Sequence, residues 1–275
     1  MEFTGYMDFW FTDVPLIERV EHFAALGIRR LDVWSWRSVD MAALAAECRR
    51  WGCIINSTFD EAMGSLADPA DNDTTIRTWH ESLEMAVRHG VEHLFIFSNQ
   101  VDVADGAEWT RRLSRSITTM EQYANLLAQT ERIMRLVEQT NVEVWVEGLN
   151  EHHIQGGVLV HDQARAVDWI RHIDHPQLRL AFDCYHQQRS GGNLIYGLEA
   201  YYGLYPTFHI ADVPTRQEPG TGEINYTNLV ARLRGLGFDG LVGLEFRPSG
   251  GEAAAFGKIK DLFGQSGCRG EGPPV

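Results

Sequence analysis

Four ionisable side chains close four short apolar runs in the second half of the chain. They are Glu147 after Val142-Glu143-Val144-Trp145-Val146, Asp183 after Leu178-Arg179-Leu180-Ala181-Phe182, His209 after Pro206-Thr207-Phe208, and Glu245 after Leu241-Val242-Gly243-Leu244. Three carboxylates and one imidazole make a complete donor set for a hard divalent ion, whereas a structural zinc draws on cysteine and histidine in a closed tetrahedron. Mn²⁺ is the first expectation, with Mg²⁺ or Co²⁺ next. Such a set, with positions left open, can chelate a carbonyl and a neighbouring hydroxyl of a sugar and stabilise the enediolate formed when a proton leaves the adjacent carbon. Glu147 and Glu245 are the expected proton-transfer pair, because each has a second oxygen beyond the one a metal would take. A single carboxylate at a strand end is usually a helix cap or a surface charge. The fourfold repetition is what carries the argument.

Several neighbours are candidates for touching a substrate. His186 lies three residues past Asp183, and is expected in the loop above that strand, where it can hydrogen-bond a substrate oxygen. Arg216, in the loop after His209, suits a substrate oxygen, carboxylate or phosphate, although a solvated surface arginine is the plain alternative. In Glu151-His152-His153, six residues or fewer past Glu147, one histidine is expected to face the pocket; spacing does not distinguish His152 from His153. Aromatic residues crowd the early part of the chain, and Trp10 and Trp34 are the candidates to wall a cavity and stack on a sugar ring. Core packing is the plain alternative for each.

The elements that must position these residues follow from their spacing. The four ligand candidates are separated by 36, 26 and 36 residues, about one strand-plus-helix unit each. Short apolar runs alternate with segments of helical period along nearly the whole chain, the pattern of βα units and a parallel sheet. The strands read Tyr6–Phe11, Arg30–Trp34, Cys53–Ser57, His93–Phe97, Val142–Glu147, Leu178–Phe182, Thr207–Ile210 and Leu241–Glu245. The helices read Pro15–Leu26, Met41–Trp51, Thr74–His89, Trp109–Gln139, Asp162–Ile173, Leu194–Tyr202, Tyr226–Leu236 and Glu252–Phe263. Eight rounds in 275 residues predict an α/β fold of one domain, a single (β/α)8 TIM barrel over residues 1–265 with a flexible Gly/Pro-rich tail at 266–275. A doubly wound sheet shares the alternation but calls for a glycine-rich phosphate turn after its first strand. The chain has Phe11-Thr12-Asp13-Val14-Pro15 there.

Composition removes several function classes. With 38 acidic against 24 basic side chains the net charge is −14, which repels nucleic acid and anionic membrane. The first residues carry no basic segment followed by a long apolar one, and no apolar run approaches membrane-spanning length. A soluble, cytoplasmic protein is expected. Cys48, Cys53, Cys184 and Cys268 show no CxxC spacing and are expected as reduced thiols.

The stretch His209-Ile210-Ala211-Asp212-Val213-Pro214, then Glu218-Pro219-Gly220-Thr221-Gly222-Glu223-Ile224-Asn225-Tyr226, then Gly240-Leu241-Val242-Gly243-Leu244-Glu245-Phe246-Arg247-Pro248-Ser249-Gly250, resembles the C-terminal half of hydroxypyruvate isomerases. Those enzymes are xylose-isomerase-like TIM barrels, alongside ketose 3-epimerases and inosose-converting enzymes. Glu147-Gly148-Leu149-Asn150 and Asp183-Cys184-Tyr185-His186 are similar to the same family's metal and substrate segments. The resemblance is strong from residue 142 to 250 and weak before residue 90. It implies that Glu147, Asp183, His209 and Glu245 hold one divalent metal, that Glu147 and Glu245 exchange the proton, and that His186 contacts a keto sugar. Homo-oligomers are common in such barrels.

Two departures narrow the substrate. His209 stands where hydroxypyruvate isomerases usually have glutamine, which is the epimerase habit. Glu151-His152-His153 replaces the arginine expected just after Asn150, so a partner for a small acid's carboxylate is lost; a neutral or bulkier keto sugar fits better. The catalytic subunits of C-deglycosidases look similar as well. They begin with the same deprotonation of a 3-oxo-C-glycoside, then eliminate the aglycone, and they work with a small second subunit. Apurinic endonucleases share the barrel but use a trinuclear metal shell and a basic groove, which the acidic balance here disfavours. A non-catalytic sugar-binding barrel is expected to lose a ligand, and none of the four is missing.

Overall fold

The computed structural model describes residues 1–104, 107–110, 113–114, 116–151 and 157–264. Eight parallel strands close into a barrel, in the order β1 (Glu2–Tyr6), β10 (Leu241–Leu244), β9 (Thr207–His209), β8 (Leu178–Asp183), β7 (Glu143–Val146), β4 (His93–Ile96), β3 (Ile54–Phe59) and β2 (Arg30–Ser35). Two further strands, β5 (Val101–Ala104) and β6 (Ala107–Thr110), form an antiparallel hairpin between β4 and the next helix. The helices of the described residues are α1 (Arg19–Leu26), α2 (Met41–Trp51), α3 (Asn72–His89), α4 (Thr119–Val137), α5 (Gln163–Ile173), α6 (Cys184–Ser190), α7 (Leu194–Ala200), α8 (Tyr226–Leu236) and α9 (Glu252–Gly264). None is long and apolar enough to cross a membrane.

Local chemistry sets the boundaries. Asp40 caps α2 by accepting from Ala43 N, Asp162 caps α5 by accepting from Arg165 N, and Thr118 and Glu121 form a reciprocal capping box on α4. Gly52 and Gly237 end α2 and α8 at φ 65° and 75°, a left-handed conformation that costs glycine little. Trp145, Phe182 and Phe208 are fully buried at the barrel wall, where the apolar strand runs lose contact with water on both faces. At the amino end of the barrel Arg30 bridges Glu2 and Glu92, and His93 stacks on Trp145 with ring centroids 3.9 Å apart.

The single (β/α)8 barrel expected from spacing is the fold, with three corrections. The first strand is Glu2–Tyr6 and not Tyr6–Phe11; the aromatic run after Tyr6 is a turn, with Phe11 at φ 55°. The long fourth helix begins at Thr119, because Trp109 belongs to the hairpin. An additional short helix, α6, starts directly on Asp183. The tail at 266–275 lies outside the described residues, and so do His152 and His153.

Candidate active site

Side chains at alternate strand positions share a face, so residues at the carboxyl ends of parallel barrel strands meet at one rim. Here that rim brings together Glu147 just past β7, Asp183 at the end of β8, His209 at the end of β9, and Glu245 just past β10. All four are buried, and each offers one ligand atom within 4.8 Å of the others. His209 Nδ1 lies 3.1 Å from Glu245 Oε2 and 3.9 Å from Asp183 Oδ2. Asp183 Oδ2 is buried with no hydrogen-bond partner among the described residues. A buried carboxylate oxygen in that state costs free energy unless a cation compensates it. The donor set and the exposed valence of Asp183 fit a divalent ion.

The electrostatics of the cluster divide in the same sense. Burial pushes the Asp183 carboxyl up to about 7, helped by the neighbouring Glu245 charge. Burial acts on Glu245 in the same direction, but the Arg216 guanidinium and His209 outweigh it and hold that carboxyl at about 2. Arg216 Nη2 sits 2.5 Å from Glu245 Oε1, so Glu245 stays ionised. Burial lowers the His209 pKa, yet the hydrogen bond and charge of Glu245 and the charges of Asp183 and Asp32 reverse that and raise it.

His186 sits in the first turn of α6 and not in a loop. Asp183 caps that helix, its Oδ1 accepting from His186 N at 2.6 Å, so one carboxylate serves as cap through one oxygen and faces the cluster through the other. The Asn150 backbone N–H donates to His186 Nδ1 at 3.0 Å, which places the ring proton of the neutral imidazole on Nε2. That nitrogen lies 4.0 Å from Glu147 Oε1 and faces the pocket as a donor.

The pocket next to the cluster is a cavity of about 30 Å³. Glu147, His186, Arg216, Glu245 and Tyr6 line its polar side. Val33, Trp34, Phe59, Phe95, Phe97, Val101 and Leu149 line the other. Arg216 is turned inward, its guanidinium carbon 5.2 Å from the Phe9 ring, 5.8 Å from Trp34 and 5.0 Å from Tyr185. Trp34 lines the pocket. Trp10 does not: it is 0% exposed, donates from Nε1 to Leu244 O, and packs against Phe246 and Phe23 beneath the rim. Its position is that of a core residue.

Sequence reasoning missed Tyr6 as a pocket residue; its hydroxyl lies 3.4 Å from His209 Nδ1. The contact of Asn150 with His186 has no sequence signal, because the two are 36 residues apart and meet across strands. Phe95 and Phe97 could have been found by alternation along His93–Phe97, which puts both on the His93 face.

The sequence pattern of the xylose isomerase-like TIM barrel family matches residues 20–261. The chain is 29% identical to the hydroxypyruvate isomerase of Escherichia coli over 126 residues, 46% of this chain and 48% of that protein. It is 23% identical over 257 residues to the 2-oxo-tetronate isomerase of Haemophilus influenzae, spanning 90% of this chain and 94% of that one. Among solved structures, AP endonuclease, family 2, of Brucella melitensis superposes with a TM-score of 0.81 at 22% identity, covering 94% of this chain and 97% of that chain. The 3-keto-D-glucoside 4-epimerase of E. coli superposes with a TM-score of 0.76 at 17% identity, covering 96% and 98%. At these identities the superpositions carry the fold alone.

Proposed function

The chain belongs to the xylose isomerase-like TIM barrel family, and from that premise we propose that it is a divalent-metal-dependent isomerase or epimerase of a keto sugar. The observation that carries this reading is the buried Glu147–Asp183–His209–Glu245 cluster at the mouth of a pocket. When bound, a divalent ion there supplies Lewis-acid polarisation of the substrate carbonyl. The chain's own residues supply the rest. Glu147 and Glu245 flank the site as the two carboxylates that take up and return the proton on the carbon beside the carbonyl. His186 donates from Nε2 to a substrate oxygen, in a tautomer fixed by Asn150. Arg216 keeps Glu245 ionised and fixes the orientation of its carboxylate. The apolar side of the pocket excludes water from the reacting face.

Two features favour a neutral keto sugar over a small keto acid. His209 is the third donor, as in the epimerase branch. In addition, Arg216, the cation in the described lining, is already paired with Glu245. A second reading, elimination of the aglycone from a 3-oxo-C-glycoside, is favoured by the apolar wall of Phe59, Phe95, Phe97 and Val101, against which an aglycone would pack.

Incubation with Mn²⁺ in D₂O and a panel of keto sugars and 3-oxo-C-glycosides separates the readings. Deuterium uptake beside the carbonyl without fragmentation is the expected result, and release of a free aglycone supports the lyase. Neither outcome across the panel contradicts both.

A further inference from the structure

Two buried carboxylates outside the metal cluster are not used by the chemistry above. Asp212 and Glu218 are both 0% exposed and both belong to the loop that carries Arg216. Asp212 accepts four backbone N–H groups, from Val213, Gly220, Gly222 and Ile224, at 2.9 to 3.0 Å. It folds the loop back on itself. Glu218 ties the folded loop to the rest of the barrel: Oε2 accepts from Ser249 N at 2.9 Å, and Oε1 accepts from Ser249 Oγ at 2.8 Å and Lys258 Nζ at 3.1 Å. Ser249 follows β10 and Lys258 is on α9, so the anchor joins the His209 loop to the Glu245 loop. Between these two carboxylates Arg216 is held at φ 54°, a conformation a non-glycine residue keeps only when its surroundings impose it. Its N–H donates to Asp212 O and its carbonyl accepts from Arg247 N, both at 2.9 Å.

We propose that Glu218 is a positioning residue for the reaction, its function being to hold the Arg216 guanidinium against Glu245. This rests on the functional reading above. An ion pair between residues of two different loops forms only if the loops keep a fixed separation; the Arg247 N–H bond to Arg216 O joins their backbones, and Ser249–Glu218–Lys258 is the side-chain cross-link beside it. A carboxylate used merely for stability has no reason to act through one particular arginine.

The test is a double-mutant cycle of Glu218→Gln with Arg216→Ala, read in two ways. The crystal structure of Glu218→Gln should show the Arg216 guanidinium withdrawn from Glu245. In the D₂O exchange assay Glu218→Gln should lower kcat/KM by about tenfold in the natural chain, and by less than about twofold in the Arg216→Ala background. An Arg216–Glu245 pair that survives Glu218→Gln overturns the proposal, as does an equal cost in both backgrounds. If Glu218→Gln does not fold, Ser249→Ala with Lys258→Met removes the same hydrogen bonds from the other side, and the same outcomes decide. Should the natural chain show no exchange with any substrate, the functional reading fails while the crystallographic arm still decides the placement of Arg216.

Discussion

At or just past the carboxyl ends of β7 to β10 stand Glu147, Asp183, His209 and Glu245, whereas at the ends of β2 to β4 the same rim carries Trp34, Phe59 and Phe97. One half of the barrel mouth is ionisable and the other is aromatic. In the ionisable half, contacts are short and charged, as between Glu245 and Arg216 at 2.5 Å. In the aromatic half, rings meet edge to face, Phe9 with Trp34 at 4.8 Å and Phe59 with Phe97 at 5.4 Å. The contrast shows how one scaffold divides the work. Charges placed opposite a low-dielectric wall interact more strongly than they do facing water, so the aromatic half sharpens the chemistry of the other without touching the proton. It also predicts unequal responses to mutation.

The largest effect belongs to the ionisable half. Glu245→Gln keeps the shape but removes the proton acceptor, and deuterium exchange should fall by about 10²–10⁴-fold, the range of a lost general base; retained exchange would show that another residue moves the proton. Next come the two tryptophans, which separate wall from core. Trp10→Ala should cost about 3–5 kcal/mol of stability in denaturant titration, the range for emptying a buried large aromatic site. Trp34→Ala should instead raise KM by about two- to tenfold, the worth of an aromatic contact. Reversed outcomes would mean that the two residues have been assigned the wrong surroundings.

A smaller effect is written in pH. Asp183 has its folded-state pKa raised to about 7 by burial and by the Glu245 charge. The native state thus holds a proton that the unfolded chain has released. The stability this contributes is present below the ordinary aspartate range and is lost as pH rises through about 7. In EDTA, the denaturation midpoint of the natural chain should therefore carry a decline with rising pH that Asp183→Asn lacks. A decline of equal size in both proteins would remove Asp183 as its source.

The sequence made the ionisable half readable and the aromatic half much less so. Glu147, Asp183, His209 and Glu245 each end a run of apolar residues, and a strand-end carboxylate stands out against Val-Trp-Val or Leu-Ala-Phe. Aromatic residues carry no such contrast: Phe9, Trp10 and Phe11 are consecutive, and which ring faces the cavity depends on a turn whose left-handed Phe11 leaves no mark in composition. The high strand propensity of Tyr6–Phe11 also displaced the first strand, because the pairing that defines β1, Glu2 with Leu241 through Gly5 with Leu244, joins residues at opposite ends of the chain. The span Trp109–Gln139 is too long for a normal barrel helix, and α4 starts at the Thr118–Thr119 step inside it. Thr118-Thr119-Met120-Glu121 is a capping box. Asp212 and Glu218 were visible only as motif letters, since nothing in a sequence says that a loop carboxylate is buried.

Everything in the ionisable half presupposes that its four donors bind a single ion. Equilibrium dialysis of the EDTA-stripped protein against Mn²⁺ tests this most directly. Saturation at one ion per chain is expected, with a loss of affinity in Asp183→Ala that exceeds about tenfold, the low end for losing even a residue that only supports a ligand. Failure of the natural chain to bind Mn²⁺, Mg²⁺ or Co²⁺ saturably, or unchanged binding by Asp183→Ala, would contradict it.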